Sequence, residues 1–318
     1  MYAHHIEPFG PFTRHILAHE SGSPSFAVIP ELGAALQSLR FEGVEVLDSD
    51  QTPEEADANR WSKGRLLFPF PNRLQDGAYT WEGRSYQFPL NDPGTGNALH
   101  GFGLNKPFEV EAAELGAESG ALICSYAYDG SLEAYPFPFI FEAVYELSGP
   151  QFSVTLRCHN TGDTPIPFGF GWHPYFRLDD TADRMSLQLP ALDMVGIDER
   201  MIPTGKFYPY DEFAVLRPLG ATVLDNCFRA TVDGPELRVT LAGSRGKLHY
   251  WHELGPGKYP FLQVFTPPHR QSVAIEPMSC NIDAFHNGQG LLRLLPGERA
   301  EARCGLRYEA PQTDLDGL

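Results

Sequence analysis

The sequence is short of positive charge and of cysteine. Its 318 residues include 24 Lys and Arg against 41 Asp and Glu, which gives a formal net charge of −17. Nucleic acids and anionic membranes attract basic surfaces, so this balance argues against both as partners. The five cysteines are an odd number and form no C-x-x-C pair. This pattern argues against a disulfide framework or a zinc ribbon and favours buried, reduced thiols.

Long apolar runs and common cofactor motifs are also missing. No run approaches the roughly 20 apolar residues that span a bilayer. Residues 1–6 show neither a basic n-region nor an apolar h-region, so we expect a cytoplasmic protein. There is no P-loop, no G-x-G-x-x-G, no Ser-His-Asp order and no H-E-x-x-H. His249 and His252 are three apart, and in a strand they would face opposite sides, which does not suit a shared metal ion. We therefore expect neither a metal nor an organic cofactor.

Alternation with a period of two is the dominant pattern. Residues 152–158 place Phe, Val, Leu and Cys on one face and Ser, Thr and Arg on the other, and residues 141–147 and 237–241 behave similarly. This alternation predicts half-buried strands. Turn signals separate such runs: Asp76-Gly77, Glu82-Gly83, Asp129-Gly130, Asn160-Thr161-Gly162 and Asp233-Gly234.

Helical periodicity is almost absent. Residues 51–60 can form one short helix, with Thr52 as N-cap and Pro53 at the first helical position. No break in composition and no internal repeat marks a domain boundary. The sequence therefore predicts one all-β domain over residues 1–318, built as a large antiparallel β-sandwich.

Four segments, 68–74, 97–103, 168–176 and 274–280, set polar residues among glycine, proline and aromatic residues. His173 precedes Pro174, which restricts it to extended geometry. Glu276 follows the apolar run 273–275, so we expect it at the end of a strand, where partial desolvation would raise its pKa toward that of a useful base. From the residues alone, a hydrogen-bonded core histidine and a capping carboxylate remain open interpretations.

Taken together and in this order, the four segments resemble the aldose 1-epimerase (galactose mutarotase) family. The resemblance begins near residues 28–34, ends near residues 283–298, and is most specific at 97–101 and 173–176. The short interval from Gln263 to Glu276 is similar to a bacterial-type branch of the family. The resemblance implies a β-supersandwich and an isomerase that interconverts the α and β anomers of a free aldohexose.

The resemblance also implies roles for particular residues. His173 matches the family's proton donor and Glu276 its proton acceptor. Ring opening must remove the proton of the anomeric O1 hydroxyl and protonate the ring oxygen, so an acid and a base beside the anomeric carbon suit it. The implied partner is a small sugar, bound by a monomer or homodimer. The substrate-binding matches are Asn72, Arg73, His100, Tyr175, Asp225 and Gln263.

Three other functions remain open on the sequence. One is a hexose-6-phosphate 1-epimerase that holds its phosphate with a basic run: Arg60, Lys63, Arg65 and Arg73. A second is a carbohydrate-binding or sensor protein without turnover, although such a protein has no need for an acid and a base. A third is a glycoside hydrolase, which would need two carboxylates, such as Asp225 and Glu276, at about 5 Å or about 9 Å.

Overall fold

The computed structural model describes residues 1–311; the last seven residues of the predicted domain, 312–318, lie outside that part. In chain order the strands are β1 (Tyr2–Phe9), β2 (Phe12–His19), β3 (Ser25–Ile29), β4 (Ala35–Phe41), β5 (Val44–Glu45), β6 (Leu66–Leu67), β7 (Arg73–Leu74), β8 (Ala78–Trp81), β9 (Arg84–Gln87), β10 (Ala98–Leu99), β11 (Glu109–Leu115), β12 (Ser119–Tyr128), β13 (Phe139–Ser148), β14 (Gln151–Asn160), β15 (Ile166–Phe168), β16 (Gly171–Trp172), β17 (Tyr175–Phe176), β18 (Ser186–Gln188), β19 (Leu192–Ile197), β20 (Pro203–Tyr210), β21 (Arg217–Pro218), β22 (Asp225–Arg229), β23 (Glu236–Gly243), β24 (Gly246–Glu253), β25 (Phe261–Phe265), β26 (Val273–Met278), β27 (Leu292–Leu294) and β28 (Arg299–Glu309). The α-helices are α1 (Pro53–Ala58) and α2 (Ala284–Asn287), and the 3-10 turns are Pro30–Leu32, Gln75–Gly77, Gly103–Asn105 and Ala182–Arg184.

Three large sheets carry most of these strands. The first has the order β1-β2-β3-β4-β5, the second β11-β12-β13-β14-β28-β24-β23-β18-β21, and the third β20-β19-β22-β25-β26-β16-β6 with β17 also paired to β26. The strand ladders within them are antiparallel. This architecture confirms the predicted all-β, antiparallel sandwich.

The alternation in the sequence becomes a buried and an exposed face. In β13 every second residue from Phe139 to Leu147 is buried, and the residues between them are half-buried or exposed. The predicted strands 152–158 and 237–241 lie within β14 and β23. Each large apolar side chain moved from water into such a core stabilises the fold by about 1.5–3 kcal/mol.

One hydrophobic core joins the three sheets. Its buried side chains run from Tyr2 to Tyr308 along the chain. Ring contacts cross between the sheets: Phe152 of β14 lies 5.6 Å from Phe26 of β3 and 6.3 Å from Trp172 of β16, measured between ring centroids. Because every sheet buries a face in this core, the fold supplies a rigid support for side chains on the opposite face of the third sheet.

The one helix expected from the sequence is present. It spans Pro53–Ala58, and Thr52 and Glu55 form a capping box, each side chain bonding to the backbone of the other. This helix leads directly into residues 60–64, which form part of the candidate site. The described residues contain no helix that is long and apolar enough to cross a membrane.

Candidate active site

A recess of ≈ 220 Å³ opens on the face of the third sheet that points away from the shared core. All eight residues that the resemblance singled out line it: Asn72, Arg73, His100, His173, Tyr175, Asp225, Gln263 and Glu276. They come from distant parts of the chain and meet only through the fold. The other lining residues are Arg60, Trp61, Ser62, Leu99 and Phe265.

Three neighbouring strands supply the floor of the recess. Antiparallel pairing sets Gln263 of β25 opposite Glu276 of β26 and places Asp225 of β22 one step along the same face. The Gln263 amide donates a hydrogen bond of 2.8 Å to the Asp225 carboxylate. Val264 and Ile275, which adjoin Gln263 and Glu276 in their strands, point into the hydrophobic core. Strand alternation therefore separates the polar floor from the packing beneath it.

Glu276 lies within β26, between Ile275 and Pro277. The expectation that it would lie at the end of a strand is therefore wrong. The whole strand is buried, because β26 is central in its sheet, with β25 on one side and β16 and β17 on the other. Only 2% of Glu276 is exposed. The desolvation of this carboxyl is therefore more complete than a strand-end position would cause.

His173 sits in the interruption between β16 and β17. Its backbone N–H donates to the Arg65 carbonyl (3.0 Å) and its carbonyl accepts from Gly64 N–H (2.9 Å), so both backbone groups are held. The Tyr175 ring stacks on the imidazole, with centroids 4.9 Å apart and planes at 8°. The Tyr175 hydroxyl donates to the Trp61 carbonyl at 2.9 Å. Tyr175 thus forms a wall that fixes the imidazole plane, with its own proton already committed.

His173 and Glu276 form a close, buried pair. Nε2 of His173 lies 3.6 Å from Oε2 of Glu276, and 5% of the histidine is exposed. Burial, reinforced by nearby Asp225, raises the pKa of Glu276 well above its usual range. Burial, reinforced by nearby His100, lowers the pKa of His173 well below its usual value. Both shifts favour the uncharged forms, a protonated Glu276 carboxyl and a neutral His173 imidazole, so the pair holds one proton.

The His100 ring lies beside the His173 ring. Its ring centroid is 5.3 Å from that of His173. The residue adopts a left-handed backbone, with φ of 64°, and its N–H donates to the Asn72 carbonyl at 3.0 Å. Nδ1 lies 2.7 Å from the Pro71 carbonyl, which identifies Nδ1 as the protonated nitrogen. Burial lowers the pKa of His100 to about 4, so the neutral ring keeps Nε2 as an acceptor.

Arg73 is oriented by a carboxylate that our sequence interpretation missed. Its Nε donates to Asp92 Oδ2 at 2.8 Å, and its backbone N–H donates to Asn72 Oδ1 at 2.8 Å. Asp92 also accepts from the Thr95 hydroxyl at 2.6 Å. Arg200 holds the same turn through hydrogen bonds to the carbonyls of residues 95 and 96. The Asn-Asp-Pro-Gly stretch at 91–94 signals only a turn, so its contact with Arg73 has no local signature.

The basic run does not form a phosphate-binding cluster. Arg65 is 1% exposed, and its guanidinium donates to the backbone carbonyls of residues 32, 56 and 104. Lys63 pairs with Asp48 at 2.9 Å, and Arg73 pairs with Asp92 as described above. Arg60 alone reaches the rim without a carboxylate partner among residues 1–311, its guanidinium 5.4 Å from the Trp61 ring. Lys63 and Arg65 therefore do not line the recess, and Arg73 lines it with its charge already paired to Asp92.

His249, His252 and the five cysteines do not line the recess. His249 is half-buried and His252 is fully buried on the opposite face of β24, as their spacing predicts. All five cysteines are buried and unpaired, as we expected. Within residues 1–311, no group of three or more His, Cys, Asp or Glu side chains is arranged to hold a metal ion.

Comparison with known proteins identifies the family. Residues 18–307 match the model of the family described as aldose 1-epimerase. The chain is 32% identical over 283 residues to the uncharacterized protein YihR of Escherichia coli (strain K12), which covers 86% of each chain. The chain belongs to the aldose 1-epimerase family, as the order of its motifs predicts.

Solved structures show the same fold. A galactose mutarotase-like protein from Clostridium acetobutylicum superposes with a TM-score of 0.86 at 19% identity, over 98% of this chain and 99% of the other. The galactose 1-epimerase from Lactobacillus acidophilus NCFM superposes with a TM-score of 0.83 at 18% identity, again over 98% and 99% of the two chains. At these identities the likeness concerns the fold.

Proposed function

We propose that the protein is an aldose 1-epimerase that interconverts the α and β anomers of a free aldohexose, acting as an isomerase without a cofactor. The observation that carries the proposal is the buried His173–Glu276 pair, 3.6 Å apart, in a recess lined mainly by side chains that can form hydrogen bonds. The family supports the reaction class, and the site supports the choice of residues.

The chemistry needs one proton to be given and one to be taken. In ring opening, Glu276 removes the proton from the O1 hydroxyl, His173 protonates the ring oxygen, the C1–O5 bond breaks and the C1=O1 bond forms. Rotation about C1–C2 presents the other face of the aldehyde, and the reverse transfers close the ring. Each such transfer typically contributes about 10²–10⁴-fold to the rate.

The pair's single proton suits this cycle. The proton that burial places on Glu276 must pass to His173, 3.6 Å away, before the ring opens. Opening then converts ionised Glu276 and protonated His173 into a neutral carboxylic acid and a neutral imidazole, and closure restores the ion pair. The summed charge of the two groups is zero in both states. A buried site can therefore run the cycle without taking a net charge out of water, which would be costly. Activity should fall when the pair gains a second proton at low pH or loses its only proton at high pH.

The other polar residues would bind sugar hydroxyls. Arg73 supplies donors, His100 presents Nε2 as an acceptor, and Asp225 and Gln263 supply acceptors and donors at the floor. Each group is at least partly desolvated, so a sugar lacking the matching hydroxyl would leave it unsatisfied. Asn72 would also bind the sugar, and its side-chain oxygen accepts a hydrogen bond from the Arg73 backbone N–H.

A phosphorylated substrate is less well supported. Among residues 1–311, Arg60 is the one member of the basic run that reaches the recess without a carboxylate partner. One unpaired cation is a poor match for a dianionic phosphate, which usually binds several donors. A purely binding protein would not need the buried acid–base pair. A free hexose therefore remains our proposal for the substrate.

Polarimetry on freshly dissolved α-D-glucose, α-D-galactose and D-glucose 6-phosphate tests this function. We expect the protein to accelerate mutarotation of at least one free hexose well above the buffer rate, and to favour it over the phosphate. Acceleration of the phosphate alone would replace the free sugar by a phosphosugar. No acceleration of any of the three would contradict the proposed function.

A further inference from the structure

We propose that Ser62 is a further sugar-binding residue, whose hydroxyl forms a hydrogen bond with the C6 hydroxyl of the aldohexose. This inference rests on the proposed function and deepens it, because it concerns a part of the sugar that does not react. Ser62 lies in the segment between α1 and β6 and lines the recess. The four segments that the sequence singled out do not include it.

Ser62 has a backbone conformation that is unfavourable for serine. Its φ is 53°, in the left-handed region, where a Cβ crowds the following carbonyl oxygen. Asn59 and Gly64 of the same segment also adopt this region, with φ of 46° and 69°, but asparagine and glycine tolerate it better than serine does. Strain of this kind is concentrated at functional sites and persists where the surrounding structure holds it.

Contacts on both sides of Ser62 hold it in this conformation. On one side, the Trp61 carbonyl accepts a hydrogen bond of 2.9 Å from the Tyr175 hydroxyl. On the other side, Gly64 packs so closely against β4 that an added Cβ would collide with the Leu36 carbonyl oxygen. These contacts fix the position of Ser62 in the wall of the recess.

The Ser62 hydroxyl lacks a partner in the protein. Ser62 is only 8% exposed, yet its hydroxyl forms no hydrogen bond within residues 1–311 and is not sealed from solvent. Polar groups at this degree of burial are generally paired. A serine hydroxyl is both a donor and an acceptor, and so is each hydroxyl of a sugar. A sugar in the recess would therefore supply the missing partner.

The position of Ser62 beside His173 indicates which sugar hydroxyl it meets. The Gly64 N–H donates to the His173 carbonyl at 2.9 Å and the Arg65 carbonyl accepts from the His173 N–H at 3.0 Å, so the segment that carries Ser62 adjoins the proposed acid. His173 protonates the ring oxygen O5, which is bonded to C1 and C5. Glu276 takes the proton of the C1 hydroxyl. The substituent that remains beside O5 is the C6 hydroxymethyl group on C5.

The test compares each hexose with its 6-deoxy form. Mutarotation is measured by polarimetry for D-glucose with 6-deoxy-D-glucose and for D-galactose with 6-deoxy-D-galactose. For a hexose that the wild type turns over, we expect the 6-deoxy sugar to have a kcat/KM lower by about 3- to 10-fold, the usual effect of losing one hydrogen bond. Ser62→Ala should lower the kcat/KM of the hexose by a similar factor. It should leave the 6-deoxy sugar within about 2-fold of wild type, because the partner of the lost hydroxyl is already missing.

Ser62→Gly separates sugar binding from folding. Glycine adopts a φ of 53° without the steric cost, so this variant should keep or raise the midpoint of thermal unfolding. It should nevertheless lose the same factor in kcat/KM as Ser62→Ala. Glu42→Gly, at an exposed residue with φ of 51° outside the recess, and Ser85→Ala, at an exposed serine, are the matched controls and should keep the wild-type kcat/KM.

The outcomes separate this inference from the proposed function. Equal losses on a hexose and on its 6-deoxy form, or full activity of Ser62→Gly, would overturn the role of Ser62 and leave the mutarotase function standing. A loss of activity that accompanies a lower unfolding midpoint in both Ser62 variants would likewise overturn it, by assigning the residue a structural role. Inactivity of the wild type on both hexoses would overturn the proposed function and the role of Ser62 with it.

Discussion

Asp92 should control sugar affinity although it does not line the recess. It accepts from Arg73 Nε at 2.8 Å, and the two side chains are only 14% and 13% exposed. Burial opposes ionisation of Asp92, but hydrogen bonds from Thr95 and Arg73 outweigh it and lower its pKa. The carboxylate is therefore charged at neutral pH and holds a guanidinium whose other donors point at the proposed sugar.

Asp92→Asn keeps an oxygen acceptor for Arg73 and removes the charge. Charge-assisted hydrogen bonds contribute about 1.5–3 kcal/mol and neutral ones about 0.5–1.5 kcal/mol. The difference is about 1–2 kcal/mol, so kcat/KM should fall about 5- to 30-fold. We expect most of the loss in KM, because Arg73 binds hydroxyls that do not react. Asp163→Asn, an exposed aspartate elsewhere, is the matched control.

A double-mutant cycle decides whether Asp92 acts through Arg73. Initial rates of mutarotation are measured for Asp92→Asn, Arg73→Ala and the double variant. If Asp92 only orients Arg73, the double variant is no worse than Arg73→Ala alone. Additive losses, or an Asp92→Asn variant with wild-type KM, would contradict a role for Asp92 in orienting Arg73.

Two further predictions concern the scaffold. Burial lowers the pKa of His252 to about 3. As pH falls from 7 to 5, the unfolded chain therefore binds a proton at this histidine and the folded chain does not, which should lower the free energy of unfolding by about 2 kcal/mol. In denaturant titrations, the free energy of unfolding of His252→Gln should depend less steeply on pH than that of the wild type. Equal pH dependence in the two proteins would contradict this. At Gly101, φ is 67° and an added Cβ would lie 2.0 Å from the Phe68 carbonyl oxygen. Gly101→Ala should therefore displace neighbouring His100 and lower kcat/KM by about 100-fold, whereas Gly149→Ala, with φ of 52° but open space around it, should leave activity unchanged.

Much of the fold follows from local patterns in the sequence. The alternation at residues 141–147 and 152–158 requires strands with one buried face, and these segments lie in β13 and β14. The capping residues Thr52 and Pro53 start a helix at the expected position. These signals are local, since a period of two or a cap depends only on neighbouring residues.

The candidate site was predictable as a set of residues but not as a geometry. The order of the motifs pointed to eight residues that the fold brings around one recess. Their burial and pairing depend on which strands become neighbours, which no local pattern states. Glu276 is more deeply buried than expected because β26 is central in its sheet. Arg65 does not reach the recess, because its guanidinium donates hydrogen bonds to backbone carbonyls of three segments.

The role of Glu276 as the base is tested most directly by the rate of mutarotation by Glu276→Gln. Glu118→Gln, at an exposed glutamate elsewhere, is the matched control. Glutamine preserves the shape of the side chain and one oxygen acceptor but cannot accept the O1 proton. We expect polarimetry to show a loss of at least about 100-fold in kcat, with sugar binding by calorimetry retained and the control at the wild-type rate. A Glu276→Gln variant that accelerates mutarotation as well as the wild type would contradict the assignment of the acid–base pair.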